Sequence, residues 1–210
     1  MKLAVVIVGI NQWEQFTRKL IAEIQSSEPT VKIYCVDAGS KEPYPKVEGV
    51  KMYHQKTKSY AEAINIAANA AFKAGADWVL SMNNDVTCLG KFAHILEGLR
   101  DDAIHARQII TENNFTWFGN WIVLLSKRVW KTVGEFDPDY LICGFEDADY
   151  SARAKAVNIP TVPIDLPFFH HWGTTRWGVP NYPQIREANI RRFTDKFGWT
   201  PGADMKVTHD

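Results

Sequence analysis

No uncharged apolar run in this sequence is long enough to cross a bilayer. The apolar N-terminal stretch from Met1 to Gly9 is followed at once by Asn11, Gln12 and Glu14, with no small-residue cleavage site. A membrane span needs roughly 20 apolar residues, so the stretch reads as a buried strand and not as a signal peptide. An excess of one charge is missing as well. Lys plus Arg number 24 and Asp plus Glu number 24, for a formal net charge of zero. No global field therefore draws the chain to nucleic acid or to an anionic membrane. Cysteine is scarce: Cys35, Cys88 and Cys143 are scattered, with no C-x-x-C pair and no zinc-ligand spacing. Buried reduced thiols fit that pattern, which points to a reducing, cytoplasmic setting. A Gly-rich, Lys- or Arg-bearing loop after the first strand is also lacking. Gly9-Ile10-Asn11-Gln12 is a poor cradle for a triphosphate.

What is present is apolar substance. Hydrophobic residues make up 46% of 210, enough for one domain, 1–210, with a substantial core. Leu3 to Val8 is a β-branched run of the kind covered on both faces of a sheet. Trp13, Phe16, Leu20 and Ile24 recur at helical spacing, and Val31 to Val36 reads as a second strand ending in Asp37-Ala38-Gly39-Ser40. A short strand is expected near Val50 to Tyr53. Ser59 with Glu62 forms a capping box for a helix that stops near Gly75, and Trp78 to Met82 is the next strand, ending in Asn83-Asn84-Asp85. This alternation predicts an α/β fold, a mostly parallel sheet flanked by helices, whose ligands bind beyond the carboxyl ends of strands. Further on, Phe92 to Leu99 reads as a helix, Phe115 to Leu125 as one strand, Val129 to Val133 as a short helix and Glu146 to Val157 as a longer one. A last amphipathic helix follows Pro183, with Ile185, Asn189, Phe193 and Phe197 in line. The first half, about 1–100, is expected to hold a nucleotide, and the second, about 101–210, an acceptor and the chemistry.

Four clusters can carry chemistry. Asp37, before Gly39, suits hydrogen bonds from a base or ribose, although an ordinary Asp-Gly turn has the same letters. Asn83-Asn84-Asp85 offers hard oxygen ligands for Mg²⁺ or Mn²⁺. In Gly144-Phe145-Glu146-Asp147-Ala148-Asp149-Tyr150 three carboxylates crowd a helix start, where the dipole favours them. On a helix Glu146, Asp149 and Arg153 share a face, and Asp147 is rotated away and able to face a cleft. His170-His171-Trp172-Gly173-Thr174-Thr175-Arg176-Trp177 places adjacent histidines on opposite faces of an extended segment. Arg176 could neutralise a phosphate. Trp117 and Trp121 could stack on sugar rings or simply pack in the core.

The order and spacing of these segments resemble the family-2 type of inverting glycosyltransferases with the GT-A fold, from about Leu3 to about Arg176. Val36 to Ser40 is similar to the family's base-binding strand end, and Trp78 to Asp85 to its metal-binding strand. Val133-Gly134-Glu135-Phe136-Asp137 resembles its G-x-F-D segment, Gly144 to Asp149 its E-D-x-D cluster, and His170 to Thr175 its H-x-x-G-x-S/T segment. Ala38 and Asn83 depart from the pattern, each standing where an Asp is common. The resemblance implies a single GT-A domain that transfers sugar from a nucleotide-diphosphate donor, a UDP-sugar being expected, to an acceptor hydroxyl with inversion. It implies Asp147 as catalytic base with Glu146 beside it, and Asp37, Asn84, Asp85 and Arg176 at the donor. Asp85 with His170, or alternatively His171, would hold Mn²⁺ or Mg²⁺. Trp117, Trp121, Phe145 and Asp149 would border the acceptor, which could be glycan, lipid-linked glycan, protein or modified nucleic acid. The competing readings are a non-catalytic nucleotide-sugar or glycan-binding module and a nucleotidyltransferase.

Overall fold

The structure is a computed structural model and describes residues 1–56, 59–112, 115–171 and 181–200. Its centre is a seven-stranded sheet made from β1 (Leu3–Gly9), β2 (Lys32–Asp37), β3 (Val50–His54), β4 (Trp78–Asn83), β6 (Ile104–Ala106), β9 (Ile122–Ser126) and β10 (Thr161–Pro163). The spatial order is β10-β6-β9-β4-β1-β2-β3. Within it β9 runs antiparallel to β4 and β6, and the other neighbours are parallel. Two further ribbons pair β5 (Val86–Cys88) with β11 (Phe168–His170), and β7 (Ile109–Glu112) with β8 (Phe115–Phe118), both antiparallel.

The branched run of β1 lies at the middle of the sheet because both its faces are covered. Ala4, Val6 and Val8 join one apolar cluster, Val5 and Ile7 the other. The first cluster is capped by α2 (Tyr60–Lys73), whose Ala61, Ala63, Ala67, Ala68 and Ala71 let the helix lie close to the strands. On the opposite face Leu20, Ile21 and Ile24 of α1 (Arg18–Ser27) are buried, each contributing about 1.5–3 kcal/mol of apolar transfer. A π-helical turn, Trp13–Thr17, leads into α1. Ser59 caps α2, its Oγ accepting from the N–H of Glu62 at 3.3 Å and donating to the Pro138 carbonyl at 3.0 Å. Ser126 caps α3 (Lys127–Val133) in the same way. A third cluster of Phe115, Trp117, Tyr140, Ala148 and Phe193 joins β8, α4 (Glu146–Ala156) and α5 (Tyr182–Phe197).

Two expected elements differ. The helix expected over Phe92 to Leu99 is a single 3₁₀ turn, Ala93–Leu96. Glu28 Oε1 captures the N–H groups of Phe92 and Ala93 at 2.7 and 2.8 Å, and Gly98 turns the chain away at φ +83°. The single strand expected from Phe115 to Leu125 is two, broken at Gly119-Asn120-Trp121. Gly119 N–H donates to the Gln108 carbonyl, and a Cβ on Gly119 would sit 2.1 Å from Gln108 Oε1. The break lets β8 pair with β7 while β9 inserts into the main sheet. Among the described residues no helix is long and apolar enough to cross a membrane.

Candidate active site

Successive connections leave β1 and β4 toward opposite edges of the sheet, so a crevice opens at their carboxyl ends. Gly9 closes β1 there. A Cβ at Gly9 would stand 2.6 Å from Tyr44 Oη and 2.8 Å from Asn84 Cβ, so only glycine permits this approach. Asn84, expected at the donor, is turned inward and corrects that expectation. It is buried, its Nδ2 donates to Thr17 Oγ1 at 3.0 Å, and Tyr44 Oη lies 3.4 Å away. It braces the crevice floor.

Asp85 follows directly. The β5–β11 ribbon sets His170 opposite Val86, and the N–H of His171 donates to the Asp85 carbonyl at 2.9 Å. His170 Nε2 is thereby held 3.2 Å from Asp85 Oδ1, with both side chains almost wholly buried. The Trp121 ring lies flat on the His170 ring, at 4.9 Å and 2°. His171 takes the other face, as strand alternation requires. Its Nε2 is 2.9 Å from Thr87 Oγ1, and its ring packs on Phe16 and Phe169. This removes His171 from the Asp85 corner. One carboxylate oxygen and one imidazole nitrogen at this separation suit a borderline cation such as Mn²⁺ better than Mg²⁺, which prefers an all-oxygen shell. Among the described residues no group of three or more His, Cys, Asp or Glu side chains forms a closed metal site.

The acidic segment enters from the other side. Ile142, Gly144 and Phe145 all have positive φ, at 53°, 101° and 75°, and this contorted loop delivers Glu146 and Asp147 to the first turn of α4. Asp147 is partly exposed, and its Oδ1 accepts from the N–H of Ala148 at 2.8 Å. Glu146 is 4% exposed, and the Asn120 side chain lies against its carboxyl group. Burial, then the charge of Asp147, pushes the Glu146 acid up to about 8, against the backbone N–H groups of Glu146 and Gly144 and the Asn120 amide. Tyr60 links the two acidic ends. Burial, then the charges of Glu146 and Asp85, holds its hydroxyl far above the ordinary range, and its Oη donates to the Asn120 carbonyl at 3.0 Å.

The pairing of Glu146 with Arg153 is not formed. Arg153 Nε donates to Asp149 Oδ1 at 2.7 Å, and its other nitrogens reach the carbonyls of Val133 and Glu135. Helical side chains lean toward the N-terminus, which carries Glu146 past the helix end into the crevice. Asp149, expected at the acceptor, is wholly buried among Arg153, Tyr140 Oη and Lys196. Among the described residues it serves as a buried ion-pair partner. Trp117 is likewise a core residue, stacked on Phe115 at 5.5 Å and 17°. Phe145 packs against Phe193 and beneath Arg186, so its ring supports the acid loop from behind. On α5, Arg192 pairs with Asp137 and Asp139, and Lys196 with Asp137 and Asp149. These cations are internal ties.

Asp37 closes β2. It is 3% exposed, and its two oxygens accept from the N–H groups of Ser40 and Tyr44 at 2.9 and 3.0 Å. Burial alone would raise its pKa, but the Ser40 hydroxyl and N–H, the Tyr44 N–H and the His54 ring together hold it below the usual carboxylate range. His54 Nδ1 stands 3.3 Å from Asp37 Oδ2, and the His54 side chain is 47% exposed. The carboxylate thus organises the 38–44 loop, and the open member of the pair is His54.

Arg176, with Trp172, Gly173 and Thr175, lies outside the described residues. Four residues that border or brace the candidate site were not singled out from the sequence: His54, Tyr60, Asn120 and Asn189. Asn189 is the most legible in hindsight, because a polar amide on the apolar stripe of a helix needs buried partners. Its Nδ2 donates to the carbonyls of Leu141, Cys143 and Gly144 at 3.0, 3.2 and 3.0 Å. Gly119-Asn120 inside a strand-like run was a break signal. Nothing in the local pattern marked His54 or Tyr60.

No protein-family model matches the chain, and no curated protein matches it in sequence. Solved structures do. GalNAc-T7, crystallised with UDP, GalNAc and Mn²⁺, superposes with a TM-score of 0.68 at 11% identity, over 91% of this chain and 48% of that one. A mutant of Drosophila β1,4-galactosyltransferase 7, in complex with manganese, UDP-Gal and xylobiose, gives 0.57 at 13% identity, over 89% of this chain and 80% of that one. TarS of S. aureus gives 0.62 at 11% identity, over 93% and 39%. The chain therefore spans less than half the length of GalNAc-T7 and of TarS. The mixed seven-stranded sheet, its flanking helices and these superpositions agree: the chain has the GT-A fold of glycosyltransferases.

Proposed function

We propose that the protein is a metal-assisted, inverting glycosyltransferase that takes a nucleotide-diphosphate sugar, a UDP-sugar in the first instance, as donor. The observation that carries this reading is the Asp85–His170 corner at the end of β4, with Glu146 and Asp147 brought toward it around Tyr60. UDP and Mn²⁺ in the GalNAc-T7 structure, and manganese and UDP-Gal in the Drosophila complex, support the same reading.

On this reading residues of about 1–100 hold the nucleotide and those of about 101–210 hold the acceptor. The 38–44 loop and His54 border the base. Asp85 and His170, whose Oδ1 and Nε2 lie 3.2 Å apart, would hold a divalent cation beside the donor diphosphate. When bound, the cation neutralises charge developing on the leaving diphosphate. Trp121 holds the His170 ring in plane, and burial keeps bulk water from the corner.

The acceptor hydroxyl oxygen bonds to the anomeric carbon as the bond from that carbon to the diphosphate oxygen breaks. The hydroxyl proton passes to Asp147, whose partial exposure and rigid helical placement suit a general base. Glu146, buried with a raised pKa, holds its proton at neutral pH and presents an O–H to bound sugar. One displacement inverts the anomeric centre.

The test is a set of UDP-sugars incubated with the protein with and without Mn²⁺, following slow donor hydrolysis by release of UDP. Mn²⁺-dependent turnover supports the reading. Tight donor binding without turnover would favour a non-catalytic binding module, and release of pyrophosphate from a nucleoside triphosphate would favour a nucleotidyltransferase.

A further inference from the structure

Two neighbouring residues of the turn between β8 and β9 send their side chains to the two halves of the candidate site. The Trp121 ring lies flat on the His170 ring, beside Asp85. The Asn120 side chain lies against the Glu146 carboxyl group. The peptide unit that joins them holds the Asn120 carbonyl and the Trp121 N–H in one plane. That carbonyl accepts from Tyr60 Oη at 3.0 Å. The next carbonyl, that of Trp121, accepts from the N–H of Asn83 at 3.0 Å. Trp121 is therefore pinned through both of its flanking peptide units, one to the end of β4 and the other to Tyr60. Two stacked rings slide on one another easily, so the geometry of the stack depends on what holds the larger ring.

Tyr60 is a firm anchor. It is the first residue of α2, where a backbone N–H has no partner inside the helix. That N–H donates to the Ile142 carbonyl at 2.7 Å, and Ile142 has a φ of 53°, a strained value for a β-branched residue. The Tyr60 ring packs on the apolar cluster beneath α2. Burial, then the charges of Glu146 and Asp85, keeps its hydroxyl protonated, so it remains a donor. One residue thus ties α2 both to the acid loop and to the turn that carries Trp121.

We propose that Tyr60 is a positioning residue: by fixing the peptide plane between Asn120 and Trp121 it sets the Trp121 ring, and through that ring it keeps the His170 imidazole turned toward Asp85. The use of this arrangement rests on the metal corner proposed above, whereas the ring geometry itself can be read without metal. A tyrosine that only satisfied a buried carbonyl would add stability and leave His170 unaffected.

The experiment compares wild type with Tyr60→Phe, which removes only the hydroxyl, with Trp121→Leu, which removes the stack, and with Trp121→Phe, which keeps an aromatic face. Asn65→Ala is the control: it cuts the grip of α2 on the Phe136 backbone, at 2.8 and 2.9 Å, without touching the turn. Melting temperature reports folding of each. Imidazole ¹H–¹⁵N spectra of the metal-free protein, assigned with His170→Gln, should show one sharp set of His170 ring signals in wild type, Trp121→Phe and Asn65→Ala. Tyr60→Phe and Trp121→Leu should double or broaden that set. Calorimetric titration of UDP with and without Mn²⁺ should show the Mn²⁺-dependent affinity falling at least about threefold in Tyr60→Phe and at least about tenfold in Trp121→Leu. Asn65→Ala should stay within about twofold of wild type. A single sharp His170 set in Tyr60→Phe, or the same disturbance in Asn65→Ala, would overturn the inference. A wild type with no Mn²⁺-dependent UDP binding would defeat the proposed function, and the metal-free spectra would still decide for or against Tyr60.

Discussion

Asn189 grips Leu141 as one strand grips another: its Oδ1 accepts from the Leu141 N–H at 2.9 Å and its Nδ2 donates to the Leu141 carbonyl at 3.0 Å. The same Nδ2 reaches the carbonyls of Cys143 and Gly144. One buried amide on α5 thus fixes the contorted loop that presents Glu146 and Asp147. Asn189→Ala should cost about 2 kcal/mol or more, since several buried backbone groups lose their partner. That corresponds to a fall in Tm of roughly 4–8 °C for a chain of this size. Transfer should fall further than donor affinity, because the proposed donor-site residues Asp85 and His170 sit after β4 and on β11. Differential scanning calorimetry with donor titration checks both parts, and an unchanged Tm would refute the bracing role.

Asp85→Ala and His170→Ala should each weaken Mn²⁺-dependent UDP binding by at least about tenfold, as expected for loss of one ligand in a sparse metal site. His171→Ala should leave that affinity within about twofold of wild type, because its ring faces Phe16 and Thr87. Titrating UDP with and without Mn²⁺ separates the three variants. A reversed order for the two histidines would move the ligand to the other face of the ribbon.

Asp147→Asn keeps the shape of the side chain and removes its basicity. Single-turnover transfer should fall by about two to four orders of magnitude, the usual worth of a general base, with UDP-sugar affinity nearly unchanged. Transfer at the wild-type rate would remove Asp147 from that role.

Glu146 provides a pH signature. Its folded pKa is raised from 4.5 to about 8, so the native state holds this proton more tightly than the unfolded chain. The associated stability is fully present below about pH 4.5 and is lost as pH rises through about 8. Glu146→Gln removes the ionisation. The variant should lose less stability than wild type between pH 5 and about 8, and relief of even about 1 kcal/mol would raise its Tm at the upper end by about 2–4 °C. Parallel Tm-versus-pH curves for the two proteins would contradict the assignment.

Asp149 separates structure from recognition. Asp149→Asn leaves Arg153 and Lys196 without their buried anion, and breaking such a pair costs about 3–5 kcal/mol. Urea denaturation should show that loss. An effect confined to acceptor KM, with stability intact, would restore Asp149 to the acceptor site.

The parallel half of the fold was legible because β1, β2 and β4 are continuous apolar runs with polar strand ends, and because Ser59 and Gly75 mark the limits of α2. The failures have local causes. Phe92 to Leu99 has helical spacing, but the Glu28 carboxylate, 64 positions from Phe92 in the chain, takes the N–H groups of its first turn. Phe115 to Leu125 is apolar at most positions, and the Gly119-Asn120 pair within it marks the turn at which the Gly119 N–H reaches the Gln108 carbonyl. The helical-face rule put Glu146, Asp149 and Arg153 together correctly, yet Arg153 serves the neighbour four residues away and two loop carbonyls. At the candidate site, order and spacing singled out Asp85, His170, Glu146 and Asp147, and the structure sets Asp85 beside His170; their roles belong to the proposed function. The burial of Asn84 and Trp117 was not legible, because no linear pattern shows which way a strand-end or ribbon side chain turns.

The β5–β11 ribbon carries a consequence for how the chain can change. Strand side chains alternate with period two, so a one-residue slip exchanges the faces of the whole strand. If Phe168–His170 slid by one position against Val86–Cys88, His171 would meet Asp85 and His170 would turn toward Phe16. Metal affinity would then depend on the parity of the connection between Pro163 and Phe168. A single-residue insertion there that shifts the ribbon exchanges the two imidazoles, and a second insertion restores the original face, so loop length in this region is constrained as an odd-or-even choice before it is constrained as a distance.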